Sequence, residues 1–149
     1  MTILLVDDDP GFRQAMEMYL RDQGRTVHTA ADGMEGLTKL NENKIDFIIS
    51  DVYMPVMDGI KFQKAVQETP EFAQLPFLFV SGYDDDHTME AVQTSKNCGF
   101  MKKARPVEEL EEWITYLSTP VGERKGTLPG LQQRIMRTER PGRTDRYGR

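Results

Sequence analysis

Along the first 117 positions, short apolar runs alternate with amphipathic stretches. Ile3-Leu4-Leu5-Val6 is continuous and of strand length, the pattern of a strand covered on both faces, and it runs into Asp7-Asp8-Asp9-Pro10. Pro10 suits a first helical turn, and Phe12, Ala15, Met16, Tyr19 and Leu20 then recur at three- and four-residue spacing until Gly24. Thr26-Val27-His28-Thr29-Ala30 alternates like a short strand, and Met34, Leu37 and Leu40 mark a second helix. Phe47-Ile48-Ile49-Ser50 reads as a third buried strand, ended by Asp51, and Ile60, Phe62, Ala65 and Val66 as a third helix. Phe77-Leu78-Phe79-Val80 is a fourth strand ending at Ser81. Met89, Ala91 and Val92 give a fourth helix, Phe100-Met101 a short fifth strand, and Leu110, Trp113, Ile114 and Leu117 a fifth helix.

Strand and helix thus alternate five times with short connections. Parallel strands need crossover helices, so the pattern predicts an α/β fold with a parallel sheet covered on both faces. In such sheets the functional crevice lies beyond the carboxyl ends of the strands. Those ends carry Asp7-Asp8, Asp51, Ser81 and, after the fifth strand, Lys102-Lys103.

Converging carboxylates repel one another, and a divalent cation relieves that best. Mg²⁺ takes oxygen ligands, typically one or two carboxylates plus a phosphate, so the cluster anticipates a phosphoryl group. A lysine ammonium and a serine hydroxyl complete a phosphate cradle, which assigns Ser81 and Lys103. No histidine base or activated serine or cysteine accompanies them, and carboxylates form aspartyl phosphates, so Asp51 is the candidate nucleophile. Taken singly, aspartates after strands are more often helix caps, the role assigned to Asp9 beside Pro10. Met54 and Met57 read as packing around a turn. The set stands out because each member falls at the same end of a different strand.

Composition narrows the field further. The 149 residues contain one cysteine, Cys98, and two histidines, His28 and His87, which excludes an internal disulfide and a typical zinc centre. Cys98 reads as a small buried hydrophobe. No apolar run approaches the ~20 residues of a bilayer span, and the opening residues do not read as a signal peptide, so the cytoplasm is the expected location. Residues 1–117 hold 11 Lys/Arg and 21 Asp/Glu, a charge of −10, whereas residues 118–149 hold 8 and 3, a charge of +5. Together they give the net −5. The domain is therefore placed at 1–117. A basic tail punctuated by Pro and Gly follows at 118–149, with no recognisable effector domain, and it reads as poorly packed. Within it Leu128, Leu131, Ile135 and Met136 have the spacing of a short docking helix, and nucleic-acid binding is not indicated.

Val6-Asp7-Asp8-Asp9-Pro10, the segment Ser50-Asp51-Val52-Tyr53-Met54-Pro55-Val56-Met57-Asp58-Gly59, Phe79-Val80-Ser81-Gly82 and Phe100-Met101-Lys102-Lys103 together resemble the receiver domain of two-component response regulators. The similarity spans residues 2–117. Its spacings are 43 residues from Asp8 to Asp51, 30 more to Ser81 and 22 more to Lys103. The resemblance implies a flavodoxin-like, doubly wound sheet of five strands in the order 2-1-3-4-5 with five helices. It implies that Asp51 accepts a phosphoryl group from a histidine kinase or phosphotransfer protein in a phosphorelay, with Mg²⁺ as cofactor. Asp8 then corresponds to a direct Mg²⁺ ligand, Asp7 to a mainly water-mediated one, and Tyr53 to a backbone-carbonyl ligand. Ser81 matches the switch hydroxyl, Lys103 the family lysine, and Phe100 the aromatic whose rotamer reports the switch. Tyr53 and Tyr83 match the positions bordering the path of the hydrolytic water. Such a chain is a signalling domain that catalyses only its own phosphotransfer and slow autodephosphorylation. It acts on a downstream protein or pairs as a homodimer through the face of the fourth helix, fifth strand and fifth helix.

Two departures stand beside the match. The family's lysine is usually followed by proline in a cis bond, but Lys103 is followed by Ala104, where a cis bond would cost about 3 kcal/mol, so a trans loop is expected. Pairing Arg105-Pro106 with the motif instead shortens the next segment by two residues, and Lys103 is favoured. The second departure is the lack of a recognisable output domain in the tail. A haloacid-dehalogenase-type phosphatase would also place a nucleophilic aspartate after a buried strand. It normally carries a second aspartate two residues on, where this chain has Tyr53. A phosphorylation-independent scaffold on the same fold is the other alternative, and the intact aspartates count against it.

Overall fold

The computed structural model describes residues 1–124, 126 and 128–130. The elements alternate as read from the pattern: β1 (Thr2–Val6), α1 (Pro10–Asp22), β2 (Thr26–Ala30), α2 (Gly33–Glu42), β3 (Phe47–Ser50), α3 (Gly59–Glu68), β4 (Phe77–Ser81), α4 (Asp86–Gln93), β5 (Cys98–Lys102) and α5 (Val107–Ser118). The fifth strand is longer than its apolar pair suggested, because Cys98 and Gly99 pair with Phe77 and Leu78 and extend the ladder backwards. All strand pairs are parallel and the order is β2-β1-β3-β4-β5, as the resemblance implied.

The strands read as unbroken apolar runs because both faces are buried. Ile3, Leu5, Phe47, Ile49, Leu78, Val80 and Met101 point into one core with Leu20 of α1 and Leu110, Trp113, Ile114 and Leu117 of α5. Leu4, Val6, Ile48, Phe77, Phe79 and Cys98 point into the other with Leu40 of α2 and Phe62 and Val66 of α3. Burial pushes the Cys98 thiol up to about 12, consistent with a buried, inert hydrophobe. Trp113 packs against β5: a Cβ on Gly99 would stand 2.4 Å from its Cζ3. Its indole Nε1 is buried with no hydrogen-bond partner among the described residues.

Among the described residues, aspartates start four of the five α-helices. Asp9, Asp32, Asp58 and Asp85 are the N-caps of α1 to α4, each accepting from amides of the first turn and so satisfying donors that the helix itself cannot. Pro106 precedes α5 without a side-chain cap, and Glu108 and Glu109 supply negative charge in that first turn.

Across the first core, α1 and α5 are joined by a polar contact. Arg25 meets Glu111 with two bonds, Nη2 to Oε1 at 2.6 Å and Nη1 to Oε2 at 2.8 Å, and the Tyr19 hydroxyl donates to Glu111 Oε2 at 2.7 Å. The Arg25 guanidinium holds the Glu111 carboxyl below its usual range, and burial beside Glu111 pushes the Tyr19 hydroxyl up to about 12. A carboxylate with a lowered pKa adds stability above its ordinary titration range and loses it as the pH falls through the folded value. Glu111→Gln is therefore expected to lower stability at pH 7 by about 1 kcal/mol, a shift of a few degrees in Tm. Thermal melts from pH 7 to 3 should show the gap to the parent chain closing on acidification.

Candidate functional site

The carboxyl ends of β1, β3, β4 and β5 meet at one edge of the sheet. Asp7 and Asp51 each follow the last residue of a buried strand, and their amides continue the ladders, Asp7 N to Ala30 O at 3.0 Å and Asp51 N to Val6 O at 2.9 Å. Both side chains are thereby fixed at the bottom of the crevice, with Asp7 1 % and Asp51 8 % exposed, while Asp8 faces solvent. One carboxylate oxygen from each of Asp7, Asp8 and Asp51 lies within 4.8 Å of the others.

Lys103 closes the cluster from the β5 side. Its Nζ sits 3.0 Å from Asp7 Oδ2 and 3.2 Å from Asp51 Oδ2, and its amide donates to Ser81 O at 2.9 Å. Arg105, the residue of the alternative alignment, points elsewhere and pairs with Glu109 at 2.7 Å. The Lys103-Ala104 bond is trans, since the described residues contain no cis peptide. Burial raises the Asp7 carboxyl, against the lowering by the Asp9 amide and Lys103. Burial alone would lower the Lys103 ammonium, but its bond to Asp7 and the charge of Asp51 outweigh that, so it is raised and Lys103 remains charged.

The two Asp51 oxygens are not equivalent. Oδ1 accepts the Val52 amide at 2.7 Å, whereas Oδ2 faces Lys103. The β3–α3 loop folds tightly over them. Gly59 N bonds Val52 O at 2.7 Å, and a Cβ on Gly59 would stand 2.0 Å from the Asp51 carbonyl oxygen, so only glycine fits there. Before it, Met57 N bonds Pro55 O at 2.8 Å across Val56, whose φ of 69° makes this a γ-turn with a β-branched residue in a rarely occupied region. Met54 and Met57 pack against the second core, as their places beside the turn suggested.

Ser81 ends β4 and is 1 % exposed, with its Oγ accepting from Tyr83 N at 3.4 Å. The Tyr53 and Tyr83 rings, 50 % and 69 % exposed, meet edge to face with centroids 6.2 Å apart. Phe100 is half-buried in β5 opposite Phe79, against the second core. Two further residues were not singled out in the sequence. The Phe12 ring lies 4.4 Å from Lys103 Nζ and offers it a π face, and Arg13 Nη1 donates to Asp7 O at 2.5 Å. Their only signal was their place one turn into α1, where side chains point back over the β1 end.

Residues 3–115 match the family described as the response regulator receiver domain. The chain belongs to that family. This bears out the resemblance drawn from its motifs, and with it the signalling role of the domain. The receiver domain is 34 % identical over 111 residues to the sensor kinase CckA of Brucella abortus, covering 73 % of this chain and 12 % of that protein. It is 31 % identical over 144 residues to the response regulator Rre1 of Synechocystis sp., covering 91 % of this chain and 62 % of the relative. The chain thus spans only part of both proteins. Among solved structures, the Vibrio cholerae chemotaxis protein CheY4 superposes with a TM-score of 0.72 at 34 % identity, over 78 % of this chain and 97 % of that one.

Three carboxylates and one ammonium leave a formal charge of −2 in this crevice. A divalent cation restores neutrality, and an all-oxygen donor set with one solvent-facing member suits a hard ion that keeps part of its water shell. The receiver domain's residues therefore fit Mg²⁺. No described helix is long and apolar enough to cross a membrane.

Proposed function

We propose that the chain accepts a phosphoryl group on Asp51 from a phosphohistidine of a histidine kinase or phosphotransfer protein, in a Mg²⁺-dependent reaction, and acts in the cytoplasm. The observation that carries this is the −2 crevice: two buried carboxylates and a third at the rim, balanced by one ammonium at 3.0 and 3.2 Å. Asp7, Asp8, Asp51 and the Tyr53 carbonyl would hold the ion, which when bound supplies positive charge to the phosphoryl oxygens. Asp51 Oδ2 lacks a backbone donor and is the attacking oxygen; it forms the P–O bond as the P–N bond breaks, and the electron pair leaves with the donor imidazole. Ser81 Oγ and Lys103 Nζ bind the phosphoryl oxygens and hold them in line. The chain turns over no separate substrate. Incubation with acetyl phosphate and Mg²⁺ should add the mass of one phosphoryl group as a labile acyl phosphate, and Asp51→Asn should abolish it. Equal labelling of that variant would remove the assignment.

Added charge at Asp51 draws Ser81 and Lys103 inward and pulls the loops that carry them, which biases the face of α4, β5 and α5 with Phe100 between its two positions. Lys103→Ala is expected to slow phosphorylation on the order of 10²-fold or to uncouple it from the conformational change. Arg105→Ala, whose side chain meets Glu109 instead, should label at close to the parent rate. Rates of acyl-phosphate formation in the two variants decide between the two alignments.

The exposed Tyr53 and Tyr83 rings meet edge to face two residues after Asp51 and Ser81, which supports reading them as the border of the water path to Asp51. Hydrolysis needs a water in line with the phosphorus, and bulky rings hinder its entry without touching the carboxylates. Autodephosphorylation should be slow, and Tyr53→Asn or Tyr83→Glu should shorten the phosphoprotein lifetime several-fold when the donor is removed and loss of phosphate is followed by mass spectrometry. An unchanged lifetime in both would mean that the rings do not guard the water path.

A further inference from the structure

The family match ends at residue 115, but the chain stays against the body after α5. Thr119 closes the helix, a 3₁₀ turn covers Val121–Glu123, and Arg124 then enters a notch between the α4–β5 loop and the last turn of α5. Its guanidinium uses most of its donors there. Nη1 bonds Lys96 O at 2.6 Å, Nη2 bonds Asn97 Oδ1 at 3.1 Å and Leu117 O at 3.2 Å, and Nε bonds Thr119 O at 2.9 Å. Its plane lies over the Tyr116 ring, 4.9 Å from the centroid.

The other end of this segment is fixed at the opposite end of α5. Pro129 is buried, and Gly130, at φ +72°, lies so close to Glu109 that a Cβ would stand 2.8 Å from its Cδ. Glu109 is the third residue of α5, so the chain has run back along the helix from its last turn to its first. Glu109 and Tyr116 are seven positions apart and share one face of α5, two turns from each other. A carboxylate is seldom buried unless paired, yet Glu109, on the flank of α5 that carries Trp113, is 6 % exposed, with Arg105 on one side and Gly130 on the other.

We propose that residues 119–124 together with 128–130 are a strap that closes, in cis, the flank of α5 shared by Glu109, Trp113 and Tyr116, with Arg124 as its pin. A downstream protein or a second copy that binds through this flank of α5 must then displace the chain's own segment first. Arginine suits the pin because its planar fork reaches four acceptors on two elements at once, which the single ammonium of lysine cannot do. The inference concerns the resting chain and does not depend on phosphorylation of Asp51.

Amide hydrogen exchange and hydroxyl-radical oxidation of Tyr116, both on the full chain, test this. In the parent, the amides of Thr119, Glu123 and Arg124 should exchange slowly and Tyr116 should resist oxidation. Arg124→Ala should speed exchange across 119–124 and 128–130 by about tenfold or more, as several bonds are lost together, and raise Tyr116 oxidation several-fold, with β1 to β4 unchanged. Arg124→Lys should fall between the two. Gly130→Ala loosens the strap from its far end, through strain at positive φ and the approach to Glu109, and it decides the matter alone if Arg124→Ala disturbs the whole sheet. Random-coil exchange of 119–124 and 128–130 in the parent, or unchanged Tyr116 oxidation in both alanine variants, overturns the proposal.

Discussion

The structure is organised around a repulsion that it does not relieve completely. Asp7 and Asp51 are held at the ends of adjacent buried strands by ladder hydrogen bonds, so neither can swing away from the other. Lys103 neutralises one charge of the three, and the remaining excess leaves the crevice able to take up a cation and, with it, an anion. The rest of the fold serves this tension. The apolar strands set the depth of the crevice, the β3–α3 loop seals its floor at Gly59, and the β4 and β5 ends bring Ser81 and Lys103 to its edge.

The lysine is the hinge of the arrangement. Its ammonium is shared between two carboxylates and the Phe12 ring, while its amide bonds the backbone of Ser81. It therefore couples α1, β1 and β3 through its side chain and β4 through its backbone, from the end of β5. Ala104 leaves the loop after it without the usual proline, and the backbone accommodates this in the trans form. The side-chain contacts hold the ammonium in place even so.

Much of this was legible in the sequence, for a physical reason. Strands buried on both faces read as unbroken apolar runs, and in a parallel sheet the residue after each run lands at one rim, so Asp7, Asp51 and Ser81 announce themselves by position. Lys103 was legible for the same reason, but its partners were not. That Nζ touches both Asp7 and Asp51, or that Phe12 lies beneath it, depends on how α1 and the β5 loop pack. The strain at Val56 was invisible because nothing in Pro55-Val56-Met57 advertises a γ-turn in place of a glycine. The strap was hidden by composition: Pro, Gly and basic residues after Ser118 read as a loose tail, whereas Arg124 finds acceptors more than twenty positions upstream in Lys96 and Asn97.

The chain has one tryptophan, and the fold has placed it where α5 meets β5. The Trp113 indole packs on Gly99, in the strand that leads into Lys103, and its buried N–H meets no protein acceptor among the described residues. An indole so enclosed emits at shorter wavelength than an exposed one, and its spectrum and lifetime change when a neighbouring strand shifts or a polar group enters. The molecule thus carries an optical gauge of the β5–α5 contact with no label attached.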